Sequence, residues 1–238
     1  MNIEILQEPS RNNPFLIINK PQGLPSAPLK SGEDSALTQA ITLYPEIKTV
    51  KGKKEIEYGL LHRLDTQTSG LLLIATTQES YNSIQESQKN NNFIKWYTAK
   101  IEKINDINSY LEGFPNQEIK IKENSTVVIE SYFRHYGKNN SQVRPVTKSS
   151  GKSALKKATS KLYKTEITLK ENNIAICKIT EGFRHQVRNH LAWLNIPVKG
   201  DFLYNPLTKK EDALLAFKAT KIQFIHPITK EKCTFSLK

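Results

Sequence analysis

In the first hundred residues, short apolar runs alternate with polar turns. Phe15-Leu16-Ile17-Ile18 reads as a strand, and Asn19-Lys20-Pro21-Gln22-Gly23 stops it, Pro21 biasing Lys20 to an extended conformation. Leu37, Ile41 and Tyr44 fall at i, i+4 and i+7, one face of a helix that Pro45 ends. Lys51 to Glu57 reads as polar loop. Leu60-Leu61 and Leu71-Leu72-Leu73-Ile74-Ala75 read as two buried strands, and between them His62 to Gly70 is polar or small apart from Leu64. A polar loop held between buried strands is a place for chemistry. Thr76 with Glu79 fits a capping box for a helix to about Gln88, with Tyr81 and Ile84 inward. Phe93 to Glu102 then alternates as a strand, Trp96, Thr98 and Lys100 on one face and Lys95, Tyr97, Ala99 and Ile101 on the other.

Further strands are predicted at Thr126 to His135, Tyr163 to Leu169 and Asn173 to Thr180. A helix follows from about His185 to Leu194, with Val187, Leu191 and Leu194 on one face and Arg184 and Arg188 as i, i+4 neighbours on another. Short strands near Ala213 to Phe217, Lys221 to Ile225 and Thr234 to Leu237, with a turn at His226-Pro227, close the chain. No internal repeat or Pro/Gly linker divides it. The simplest account is one α+β domain over residues 1–238, built on a central, largely antiparallel sheet flanked by helices and loops.

Composition adds a partner to this picture. The 238 residues carry 35 Lys+Arg against 23 Asp+Glu, a formal charge of +12, which fits a polyanion such as RNA or, equally, a solvated basic surface. From Lys138 to Lys164 there is no acid at all, while Arg144, Lys148, Lys152, Lys156, Lys157 and Lys161 stand among Ser, Thr and Gly. That stretch reads as a long loop that either contacts RNA or is mobile and solvated. With 37% hydrophobic residues a core of ordinary size is available. No apolar run reaches the roughly 18 residues of a membrane span, and the start lacks a secretory pattern, so a soluble cytoplasmic protein is expected. Cys177 and Cys233 and the five histidines show no metal or redox spacing, and no metal is expected.

His62-Arg63-Leu64-Asp65-Thr66-Gln67-Thr68-Ser69-Gly70 resembles the H-R-L-D-x-x-T-S-G loop of RluA-type pseudouridine synthases, with seven fixed residues in nine positions. Asn19-Lys20-Pro21-Gln22-Gly23 is similar to that family's N-K-P-x-G turn, and Lys95-Trp96-Tyr97-Thr98-Ala99 to its K-x-Y-x-A strand. Gly182 to Leu191 resembles G-R-x-H-Q-I-R-x-H-L, and Gly200-Asp201 with Tyr204 resembles G-D-x-x-Y. From about residue 14 to the end the chain reads as the catalytic domain. Phe183 replaces the usual basic residue, with Arg184 directly behind it, and Leu215 stands where relatives often have His. Only about 18 residues precede the Asn-Lys-Pro turn, so the S4-type RNA-binding domain is expected to be absent and target selection to fall to the catalytic domain.

The resemblance implies a pseudouridine synthase fold and isomerisation of specific uridines in ribosomal or transfer RNA, without a cofactor. Uracil leaves C1′, turns, and rejoins through C5. Asp65 is the implied catalytic residue, either as nucleophile at C1′ or as base at the 2′ position. Arg188 is its implied guanidinium partner, Tyr97 packs on the target base, and Arg63 enters the space the base vacates on extrusion. Leu191 completes the expected substrate contacts, and Lys20, Arg184 and Lys95 the expected RNA contacts. His62, His185 and His190 are expected to hold geometry, and the protein to be a monomer. A non-catalytic RNA chaperone would not need Asp65, Tyr97 and Arg188 together. A zinc deaminase or a serine hydrolase would need spacings that this sequence lacks.

Overall fold

The computed structural model describes residues 1–30, 32–107, 111–116, 118–212 and 214–237. In chain order the elements are β1 (Glu4–Gln7), β2 (Phe15–Lys20), α1 (Ala36–Leu43), β3 (Ser69–Ala75), α2 (Gln78–Lys89), β4 (Ile94–Lys100), β5 (Ser125–Tyr136), β6 (Gln142–Val146), α3 (Lys152–Lys156), β7 (Tyr163–Lys170), β8 (Ile174–Ile179), α4 (Gln186–Trp193), β9 (Phe217–Ile225) and β10 (Lys232–Ser236). They fall into two compact units, Met1–Trp96 with Lys218–Lys238, and Tyr97–Phe217. No helix among the described residues is long and apolar enough to cross a membrane.

In the first unit β2 pairs antiparallel with β1 and β3. Its run Phe15 to Ile18 is fully buried, as an apolar strand with neighbours on both sides should be. At its start β3 runs parallel to β9 through Ser69↔Lys218 and Gly70↔Ala219, and β10 closes antiparallel on β9. Phe15, Leu71, Leu73, Tyr81, Ile84, Phe93, Ile222 and Phe224 share one core, with the Phe15 ring edge-on to Phe224 at 5.3 Å. Helix α1 opens on a capping box in which Ser35 and Thr38 satisfy each other's backbone N–H groups.

In the second unit β5 pairs antiparallel with β7 along its first half and with β6 along its second, and β7 pairs with β8. Every residue of α4 is buried, although Gln186, Arg188, Asn189 and His190 are polar. Each of these side chains has a specific partner, although Asn189 Oδ1 is buried without one among the described residues. Gln186 donates to the Lys164 carbonyl at 2.8 Å, Asn189 to the Val143 carbonyl at 2.9 Å, and the His190 ring bridges Ser131 Oγ and Thr165 Oγ1 at 2.9 and 2.8 Å. The helix is therefore stitched to β5, β6 and β7 by its polar residues, while Val187 and Leu191 fill space between.

Several boundaries differ from the pattern-based reading. Leu60-Leu61 is not a strand, since Leu60 makes a single bridge to Ile74. Thr77, not Thr76, caps α2, accepting from the Ser80 N–H. Pro45–Thr49 and Glu55–Glu57 are 3-10 turns. The basic stretch 138–164 is not structureless: it holds β6 and α3, and Val143 and Val146 are fully buried. Arg144 and Pro145 interrupt the alternation there, which hides the strand, and Pro is tolerated because β6 ends the strand order. Arg184 precedes α4 instead of lying on it, because His185 is left-handed at φ 55°. Residues 217–225 form one continuous strand, and Ala213 lies outside the described residues.

Burial holds the pKa of His190 down to about 3, well below the 6.5 of an exposed ring. Between these values the unfolded chain binds a proton that the folded chain does not, so stability falls as pH drops through about 6.5. Urea unfolding between pH 7 and 5 should show that decline, and His190→Gln should show a flatter one. Equal slopes would mean that His190 is not the group responsible.

Candidate active site

Asp65 lies in a segment, Leu61 to Thr68, that is neither helix nor strand, so its backbone groups must find partners elsewhere. They find them in the turn that follows β2. Ser26 Oγ donates to the Leu64 carbonyl at 2.8 Å and accepts from the Leu64 N–H at 2.9 Å. The Gly23 N–H donates to the Thr66 carbonyl at 2.8 Å, and the Thr68 N–H to the Asp65 carbonyl at 2.9 Å. The Leu73 N–H donates to His62 Nε2 at 3.2 Å, and the His62 ring stands edge-on to Phe93 at 5.2 Å. Burial lowers His62 to about pH 3, with the Lys95 charge a lesser cause, so the ring is neutral and able to accept that bond.

Lys20, expected as an RNA contact, is fully buried. Its ammonium donates to the carbonyls of Leu24 (2.6 Å), Pro21 (3.0 Å) and Thr66 (3.2 Å). Burial pulls its pKa down to about 8, and the neighbouring Asp65 carboxylate opposes that shift. Lys20 therefore braces the turn against the Asp65 loop and brings positive charge to the carboxylate. Where the loop enters β3, Gly70 has φ +117°, and a Cβ there would stand 2.2 Å from the Ala219 carbonyl oxygen, so only glycine admits the parallel pairing with β9. Arg63 is exposed over 48% of its side chain and pairs with Glu57 at 3.1 Å. Lys95 is buried, with Nζ 5.1 Å from the Phe93 ring centroid.

The second unit carries the other expected residues. Tyr97 is buried on β4 and stacks on Phe217 at 5.0 Å with an interplanar angle of 11°. Leu191 is fully buried in α4. Arg184 is exposed and donates to the carbonyls of Asn140 (2.8 Å) and Ser141 (3.3 Å) at the β5–β6 turn. Arg188 makes a two-pronged pair with Asp201, Nε to Oδ2 and Nη2 to Oδ1 both at 2.7 Å, with side-chain exposures of 6% and 0%. Asp201 lies within a motif quoted from the sequence but is assigned no partner by it, since no periodicity links it to Arg188, 13 residues earlier. The signal was present in Gly200-Asp201: Gly200 has φ +77°, and a Cβ there would lie 1.9 Å from the Leu214 carbonyl oxygen. Tyr204 completes the group, its hydroxyl accepting from the Val143 N–H and bonding His185 Nδ1, each at 2.9 Å.

Residues 14–193 match the family model described as RNA pseudouridylate synthase. The chain belongs to that family. Among pseudouridylate synthase relatives it is 27% identical to an uncharacterized RNA pseudouridine synthase of Helicobacter pylori, covering all of this chain and 66% of that protein. It is 28% identical to ribosomal large subunit pseudouridine synthase D of Borreliella burgdorferi (85% of this chain, 54% of that protein). It is 27% identical to tRNA pseudouridine(31) synthase of Saccharomyces cerevisiae (84% and 46%). The chain thus spans two thirds or less of these relatives' lengths. The solved structure of human RNA pseudouridylate synthase domain containing 1 superposes with a TM-score of 0.66 at 18% identity, over all of this chain and 83% of that one, so the α+β pseudouridine synthase fold is shared.

Removing one partner of a buried ion pair strands the other charge and costs about 3–5 kcal/mol. Asp201→Asn should therefore lower the free energy of unfolding by about that amount in urea titrations. A loss under about 1 kcal/mol would mean that the pair is not what holds Arg188.

Proposed function

We propose that this chain converts specific uridines of ribosomal or transfer RNA to pseudouridine, with Asp65 as the catalytic residue. The observation that carries this reading is the Asp65 loop itself, whose sequence lies inside the matched family region and whose backbone is clamped by Ser26, Gly23 and Lys20. A carboxylate held in a fixed frame, with a buried ammonium beside it, suits attack at C1′ or removal of the 2′ proton. The curated relatives named above act, by their names, on large-subunit ribosomal RNA and on transfer RNA. In this reading the work is cytoplasmic and both units of the chain serve one catalytic domain, a reading supported by a matched region that includes residues of both.

In this reading Tyr97 packs on the uracil, Leu191 backs the pocket, Arg63 fills the gap left by the extruded base, and Arg188 supplies fixed positive charge to the reaction. Arg184 adds to the attraction for the RNA backbone, whereas Lys95 is buried against Phe93 and turned inward. No cofactor is required.

Asp65→Asn should abolish tritium release from 5-tritiated uridine in RNA while leaving RNA binding nearly unchanged, because the amide keeps the shape but neither attacks nor takes a proton. Multiple turnover by the purified variant would remove Asp65 from the role. Arg188→Ala should lower the rate by at least on the order of a hundredfold, and Arg188→Lys should recover only part, because an ammonium lacks the planar two-pronged geometry that Arg188 uses toward Asp201. Activity of folded Arg188→Ala within about tenfold of the parent would return Arg188 to a structural role.

A further inference from the structure

The β5–β6 hairpin places two arginines directly opposite one another. In its register Arg134 faces Arg144, and like charges in facing positions destabilise a strand pair. Arg144 is 2% exposed and internally engaged, Nε donating to the Glu112 carbonyl at 2.8 Å and Nη1 to the Val143 carbonyl at 3.0 Å. Its guanidinium lies 4.3 Å from the Tyr136 ring centroid and 4.9 Å from that of Phe114. Arg134 lies over the same Tyr136 ring, at 4.9 Å. Unlike that of Arg144, its side chain makes no hydrogen bond or ion pair among the described residues, and its Nε is buried without a partner. The carboxylate at hand is Glu112, which accepts from the Tyr136 hydroxyl at 3.2 Å and offsets one of the two charges.

A net positive charge and a half-buried arginine with no acceptor among the described residues suit an anion with several acceptor oxygens. The surroundings point the same way, because the acid-free run from Lys138 to Lys164 begins in the turn of this hairpin. We infer that Arg134, with the buried charge of Arg144 behind it, binds one backbone phosphate of the RNA, with Tyr136 as the platform on which both guanidiniums lie. The inference rests on the reading of the chain as an RNA-modifying protein. A phosphate oxygen takes the Nη hydrogens of the half-buried Arg134, and its charge relieves the repulsion across the hairpin. The part of the cost of two facing arginines that Glu112 leaves is thereby compensated when RNA is bound.

The test uses Arg134→Gln and Arg134→Lys in the full chain, checked for folding by circular dichroism. Arg144 is left intact because it is built into the protein. Binding of a ten-residue oligouridylate is measured across salt concentrations. Loss of one phosphate contact on a single strand should reduce the slope of log affinity against log salt by about 0.7 and weaken binding about tenfold at low salt. Arg134→Gln should show both effects, and Arg134→Lys should keep the slope because it keeps the charge. In parallel, inorganic phosphate at constant ionic strength should shift the Arg134 Nε–H resonance of the parent. An unchanged slope in Arg134→Gln, or a slope lost equally in Arg134→Lys, overturns the inference. A phosphate-induced shift with an unchanged oligouridylate slope would mark a free-anion site and overturn the RNA assignment. Tritium release by the parent is measured alongside. Its absence would strike the proposed isomerisation and leave the binding result to be judged by itself.

Discussion

The Asp65 carboxylate is displayed on a segment that offers no regular ladder for its own backbone, and the first unit is organised around that constraint. Leu61 to Thr68 has neither helix nor strand to satisfy its polar groups. Ser26 therefore serves Leu64 in both directions, and Gly23 and Lys20 both reach the Thr66 carbonyl. Each bond is individually modest, of the order of 1 kcal/mol, but an unsatisfied buried group would cost more than that. The clamp is a demand of burial as much as a source of stability. It also explains why a turn 40 residues upstream matters to the loop: the two segments supply each other's missing partners.

The second unit meets a related problem with a helix. α4 is short, polar and wholly buried, a combination that hydrophobicity alone would not place in a protein interior. Its polar side chains are matched one by one to β5, β6, β7 and the turn at Asp201. Buried polar networks of this kind contribute definition more than net stability, because desolvation of the charges offsets much of their attraction. Arg188 is held at two of its nitrogens by Asp201, which fixes an otherwise long and flexible side chain.

Charge is distributed with a similar division of labour. Arg144, Lys20 and Lys95 are basic residues turned inward, the first two bonding backbone carbonyls. Arg184 remains outside, as do Lys148, Lys152, Lys156, Lys157 and Lys161. A formal charge of +12 is thus not a uniform coat: part of it is structural. The hairpin of β5 and β6 is where the two uses meet, one arginine satisfied from within and the other with a donor unpaired among the described residues.

Much of this was legible from the sequence, and the reason is locality. Apolar runs and alternation located β2, β3, β4, β5, β7 and β8, and periodicity found α1, α2 and α4 within a residue or two, because these signals depend on neighbours a few positions apart. The motif around Asp65 identified the family for the same reason. What the sequence could not express were partnerships between distant positions. Lys20 reads as a surface cation until its three carbonyl acceptors are seen, and Asp201 has no sequence relation to Arg188 that would mark it as the other half of an ion pair. β6 was hidden because Arg144 and Pro145 break its apolar pattern, and only pairing with β5 makes it a strand. Short-range pattern determined which elements exist and which family they belong to. Tertiary structure decided which polar groups those elements bury together, since the cost of an unpaired buried charge or donor can be met only by a partner that folding brings within about 3 Å.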